Sequence, residues 1–436
     1  MSERNDKMKE YYRKYDYNSR RPVHVDPDDL TEQQRYRLME SDHFCMIPWT
    51  HIHGFPTGEA YPCCLGEMEY PIGNMRENSL EEIWHGDKYT GMRQQMLADK
   101  PCVECTRCYE QEKNGFFSMR NSHNKHFGHH IGKVDQGINP EFNIVYWDIR
   151  FSNQCNLKCR SCGPMFSSLW YDDHVAMYGK DPGHKRIERA GRTKTDIWEQ
   201  MEPQIDNIEQ IYFAGGEPLI MQEHYNILKE LVRRERFDVR LIYNSNFQKT
   251  TYKDLDVLEY WKLFENVSIG ASLDAMGPRA ELIRAGTDWN EVMRNRERML
   301  KVCPEVDFYI SPTMSIMNVF HVHDFHRDWV ERGFLKHSDL NVNILQSPEW
   351  YRADCLPQHM KQDAIAQIKE HMDWLEPYDT VKRAINGFNS TVTFLEANDN
   401  TQYLAKFNDM RRLLDGVRDE DFYATLPELK ELASYE

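Results

Sequence analysis

The sequence predicts an α/β fold: a partial, open (β/α)6 barrel behind a small cysteine-rich domain, with a helical extension at the carboxyl end. Two observations carry this. From residue 144 onward, six short apolar runs alternate with helical stretches, which implies parallel strands joined by right-handed crossovers. Six units are too few to close an eight-stranded barrel. Before residue 120, by contrast, six cysteines sit among turn residues with little periodic structure, and small cores of that kind usually need a metal.

Taken in order, residues 1–40 read as a polar N-terminal arm, charged and tyrosine-rich. Residues 41–120 form the cysteine-rich domain. Residues 121–143 hold His123, His126, His129 and His130 with several glycines and read as a solvated linker. The barrel spans 144–350. Its strands are expected at 144–151, 208–214, 238–244, 266–273, 306–313 and 340–346. Helices are expected near 194–206, 222–235, 252–264, 289–302, 319–333 and 358–376. Residues 351–436 form the helical extension.

Length and charge narrow the function. A chain of 436 residues, 40% hydrophobic and 28% charged, is globular and has a sizeable core. A formal charge of -16 argues against nucleic acid or an anionic membrane as partner. No apolar run reaches the roughly 18 residues of a membrane span, and the first residues lack the apolar stretch of a secretory signal. The expected location is therefore cytoplasmic. In that reducing compartment eleven cysteines do not form a disulfide framework. Nine are clustered, which points to metal ligands; Cys303 and Cys355 stand alone and read as small buried apolar residues.

The most specific motif is N-Q-C-N-L-K-C-R-S-C-G at 153–163. Cys155, Cys159 and Cys162 follow the first strand directly, where parallel β/α folds gather their chemistry. Three local thiolates suit a cubane [4Fe–4S] cluster with one iron left open; a structural zinc site wants four. A three-cysteine zinc knuckle completed from a distance is the competing reading. The second strand ends in A-G-G-E-P, where Gly215 and Gly216 let backbone approach a ligand and Glu217 can accept from an ammonium group.

The C-x3-C-x2-C stretch and the G-G-E-P turn resemble the radical S-adenosylmethionine (SAM) superfamily. The resemblance implies a [4Fe–4S] cluster on Cys155, Cys159 and Cys162. SAM chelates its open iron, and reductive cleavage gives a 5′-deoxyadenosyl radical that abstracts hydrogen from a substrate. It further implies cofactor contacts from Gly215, Gly216, Glu217 and Pro218, and from Asn246, Ser272 and Asp274 at the next strand ends. Arg284, ten residues past Asp274, can pair with the cofactor carboxylate or form a surface salt bridge. Ser161 stands where the family often has an aromatic residue near adenine.

The segment C-M-I-P-W-T-H-I-H-G-F-P-T-G-E-A-Y-P-C at 45–63, with C-V-E-C-T-R-C at 102–108, resembles the SPASM and twitch domains, which carry auxiliary iron–sulfur clusters. The implied ligands are Cys45, Cys63, Cys105 and Cys108, with Cys64 and Cys102 as substitutes; a structural zinc ribbon is the alternative. His51 and His53 are read as packing or hydrogen-bonding loop residues, and His321, His323 and His326 as facing outward. The resemblance points to a peptide or small-molecule substrate and to an electron donor such as flavodoxin or ferredoxin. A non-catalytic iron–sulfur or zinc scaffold, and an RNA-modifying radical enzyme, are the alternatives. No residue is singled out as catalytic toward substrate, though Ser311, Thr313 and Gln346 lie at strand ends.

Overall fold

A computed structural model describes residues 25–115 and 117–435. Most of the expected arm, residues 1–24, lies outside them. The chain divides into two compact units. The first comprises residues up to 152, 189–215 and 229–241; the second comprises 153–188, 216–228 and 242 to the end.

In the first unit, strands β1 (His51–Gly54), β2 (Glu59–Tyr61), β3 (Gly73–Asn74), β4 (Tyr146–Ile149) and β5 (Gln210–Phe213) lie in the order β3-β2-β1-β4-β5. β4 and β5 fall within the expected first two strands. β1 was not expected. It pairs parallel to β4, with His51 opposite Tyr146 and His53 opposite Asp148. His51 and His53 are therefore strand residues and fully buried, not loop residues.

Helices Leu80–His85, Asp87–Leu97 and Thr106–Lys113 carry the cysteine-rich segment. The first of them starts at a capping box, in which Ser79 accepts from the Glu82 N–H and Glu82 accepts from the Ser79 N–H. Trp49, Trp84, Tyr89 and Trp147 fill the core, and the buried Arg93 guanidinium lies over the rings of Trp84 and Tyr89. Residues 121–143 are not a solvated linker. They fold into helix Met119–Phe127 and a 3-10 segment Gly128–Gln136, burying His123, Phe127, Ile131 and Val134. Apolar packing supplies the reason: Phe127 stacks on Tyr146, and His123 packs against both rings.

In the second unit, strands β6 (Arg240–Ser245, its last four residues in this unit), β7 (Val267–Ala271) and β8 (Asp307–Ile310) follow in that order. β7 and β8 are parallel. The sheet is open, as expected. The sixth expected strand shrinks to a single parallel bridge from Leu340 to Ile310 of β8 and to Asn343–Ile344, which pairs with Thr313–Met314. Helix Trp289–Val302 is capped by Asp288, whose side chain accepts from the Glu291 N–H. It buries Val292, Asn295, Arg296 and Met299, one face at helical spacing.

Helix Val322–Glu331 buries His323 and His326, contrary to the outward reading. His326 Nδ1 lies 3.0 Å from His371 Nε2 on helix Gln358–Leu375. The extension is helical, with Arg383–Ala397 and Leu404–Arg418 following. Among the described residues no helix is long and apolar enough to cross a membrane.

Candidate metal and cofactor sites

In the second unit, the triplet sits on a loop that leaves the sheet and returns as a two-residue ribbon. Lys158–Cys159 pairs antiparallel with Arg284–Ala285, placing Cys159 opposite Arg284. The Cys162 N–H donates to the Cys159 carbonyl at 3.0 Å, which closes a turn between these two cysteines. The thiols are free and only partly exposed. Burial pushes each of them up, Cys162 to about 12; neighbouring sulfurs add to this at Cys155 and Cys162, whereas the Arg284 charge opposes it at Cys159. Buried thiols of this kind form a donor set whose protons a metal cluster displaces, since its ligands are thiolates.

Glu217 is fully buried and tied by three donors. The Ser245 hydroxyl and the Leu219 N–H donate to Oε1 at 2.8 and 3.1 Å, and the Asn246 N–H donates to Oε2 at 2.7 Å. Burial still holds its carboxyl up at about 7. Oε2 keeps acceptor capacity for a further donor. Beside it, Gly216 packs on the backbone of Gln154: a Cβ there would stand 2.1 Å from the Gln154 carbonyl oxygen. The Glu217 N–H donates to that same carbonyl at 2.8 Å, fastening the turn to the residue before Cys155. Gly215 has φ near 93°, a conformation suited to glycine. Pro218 opens a short 3-10 turn.

Arg284 is not a surface residue. Its Nε donates to Asp274 Oδ2 at 2.7 Å, and Nη1 lies 3.7 Å from Cys159 Sγ. Although burial opposes it, the Asp274 charge and the neighbouring thiols hold the guanidinium above its usual range. Asp274 Oδ1 also accepts the Thr313 N–H at 2.8 Å. Asn246 donates to Asn156 Oδ1 at 2.9 Å. The Ser272 N–H donates to the Ser245 carbonyl at 2.7 Å. Asn318, donating to the Asp274 carbonyl at 3.1 Å, escaped the sequence reading because it belongs to no motif, and Asn156 because only the cysteines of its motif were singled out. Ser311 is buried, and Gln346 is exposed.

The carboxyl-terminal helices hold the triplet loop from behind. Fully buried Arg160, between the second and third cysteines, donates to Asp415 at 2.6 Å and also pairs with Glu420. Asp173 bridges Lys158 and Arg418, at 2.7 Å from each.

In the first unit a cavity is lined by Cys45, Cys63, Cys105 and Cys108, together with apolar side chains. Cys64 and Cys102 do not line it. Cys102 is buried, its sulfur 3.7 Å from the Met92 carbonyl oxygen, whereas Cys64 feels the Asp148 charge. Burial raises the thiols of Cys63 and Cys105, and each is raised further by the other lining cysteines.

Residues 45–109 match the family model of SPASM, an iron–sulfur cluster-binding domain, and residues 149–325 match that of the radical SAM superfamily. The chain carries a radical SAM domain behind an SPASM domain. The cofactors that go with these two domains are a [4Fe–4S] cluster, SAM and an auxiliary iron–sulfur cluster. No curated protein matches it. Solved structures similar to this radical SAM protein include anSMEcpe with bound AdoMet (19% identity, TM-score 0.33), covering 52% of this chain and 58% of that one. Another is SuiB of Streptococcus suis bound to precursor peptide SuiA (14% identity, TM-score 0.34), covering 63% of this chain and 60% of that one. The match thus spans less than two thirds of either structure.

Proposed function

We propose that this protein cleaves SAM reductively at a cluster held by Cys155, Cys159 and Cys162, and abstracts hydrogen from a peptide or small-molecule substrate. The observation that carries the reading is the Asp274–Arg284–Cys159 contact chain beside a buried Glu217 carboxylate. When bound, the cluster and SAM supply the electron transfer and the radical. The chain's own residues bind and orient. Asp274 fixes the Arg284 guanidinium, whose remaining N–H groups are free to grip a carboxylate. Glu217 accepts from an ammonium, and Gly216 keeps the turn close to Gln154. The surrounding chain leaves the three cysteines only partly open to water.

Cys45, Cys63, Cys105 and Cys108 are proposed as the auxiliary ligands, since these four line one cavity. The formal charge of -16 supports a substrate other than nucleic acid, and clustered free thiols support a reducing, cytoplasmic location with an electron donor of the flavodoxin or ferredoxin type.

The test is anaerobic reconstitution with iron and sulfide, then dithionite and SAM, with assay of 5′-deoxyadenosine. Production by the native chain and none by Cys159→Ala is expected. No product above background from the fully loaded native chain would leave a non-catalytic scaffold.

A further inference from the structure

We propose that His51, His53 and Asp148 form a mononuclear binding site for a divalent transition metal, separate from both cysteine sites. Adjacent parallel strands create it. His51 and His53 are two apart on β1, so they share a face, and the register sets His53 opposite Asp148 on β4. One ligand atom from each of the three residues lies within 4.8 Å of the other two. All three residues are fully buried.

The hydrogen bonding points the same way. His51 Nδ1 is 2.7 Å from the Tyr146 carbonyl oxygen. A carbonyl only accepts, so Nδ1 carries the proton and Nε2 is left with a bare lone pair. Nε2 has no partner. A ligating histidine is characteristically held in this way, its other nitrogen donating to a carbonyl. His53 Nδ1 lies 2.9 Å from Asp148 Oδ2, while its Nε2 has no partner either. The nearest cation to Asp148 Oδ1 is Arg150 Nε at 4.0 Å, beyond hydrogen-bond reach.

A plain His53–Asp148 ion pair would explain one contact and leave two imidazole nitrogens orphaned in a dry interior. A metal ion can take His51 Nε2, one His53 nitrogen and one Asp148 oxygen together. Two imidazoles and one carboxylate suit zinc and its first-row neighbours, with zinc outcompeting iron(II). The sequence reading passed over the site because its two halves are about ninety residues apart and meet only through the β1–β4 pairing.

Holoprotein, anaerobically loaded with iron and sulfide, is given Zn(II) and desalted. About one zinc per chain should remain, with iron content unchanged. Zinc-edge X-ray absorption should show two imidazoles, a carboxylate oxygen and at most a single sulfur. Zinc far below one per chain, or scattering dominated by sulfur, would overturn the proposal; the latter places zinc in a cysteine site instead. His51→Gln should lose the zinc and keep its iron, and full zinc retention in that variant would equally overturn it. Should the variant fail to fold, the absorption spectrum of the native holoprotein still decides.

Discussion

Arg284 and Asp274 form a buried ion pair, Nε to Oδ2 at 2.7 Å, and the same guanidinium borders Cys159 Sγ at 3.7 Å. Removing one partner strands the other charge in a low-dielectric setting. Asp274→Ala is therefore expected to destabilise the protein by about 3–5 kcal/mol, read by anaerobic denaturant unfolding. It should also weaken SAM binding, because Arg284 loses its anchor. A loss below about 1 kcal/mol would mean that water already solvates the pair.

Gly216→Ala tests the close approach at the turn. The new methyl group collides with the Gln154 carbonyl oxygen, a backbone atom that can move only by shifting Cys155. Iron content should fall from about eight to about four per chain. Gly163→Ala is the control, since nothing lies within 4 Å of its Cβ position. If both variants keep full iron, the turn does not set the triplet.

Cys105→Ala and Cys102→Ala should differ, although the two residues are three apart. The first lines the four-cysteine cavity and the second does not. Loss of about four irons is expected from Cys105→Ala and none from Cys102→Ala. 5′-Deoxyadenosine formation should survive in both, and equal iron loss in the two variants would overturn the ligand set.

His326 and His371 predict acid sensitivity. Burial holds both neutral, lowering His326 to about 3 and His371 to about 2. The unfolded chain binds protons on them below pH 6.5, while the folded chain does not. Their contribution to stability is thus complete above pH 6.5 and is lost progressively as pH falls from there toward 3. His371→Gln should flatten the fall in thermal midpoint between pH 6.5 and 5. An unchanged pH profile would contradict the buried neutral pair.

Local pattern made part of this architecture legible. Strands β4 to β8 coincide with the expected runs to within one residue because each is a short apolar stretch bounded by turns, and the triplet and Gly-Gly-Glu-Pro are contiguous motifs. The misses share one cause. β1, with His51 and His53, carries a single aliphatic residue, and only its pairing with β4 buries it. Residues 121–143 look polar, yet His123 and Phe127 are buried by rings from another segment. His326 was assigned outward from its own helix, whereas helix Gln358–Leu375 covers it. Arg284 sits where the spacing suggested, but its bond to Asp274 depends on the ribbon that sets it opposite Cys159. Burial decided by distant chain segments leaves no periodic trace.

The clasp of Arg160 on Asp415 and Glu420 also orders events in time. On the ribosome, the loop with Cys155, Cys159 and Cys162 is synthesised some 260 residues before Glu420 of its rear support. That loop therefore gains its full support only after Glu420 has been added, whereas every residue lining the four-cysteine cavity has been made once Arg120 is added. Ribosome-bound chains stalled short of Asp415 are expected to fill the four-cysteine cavity before the triplet.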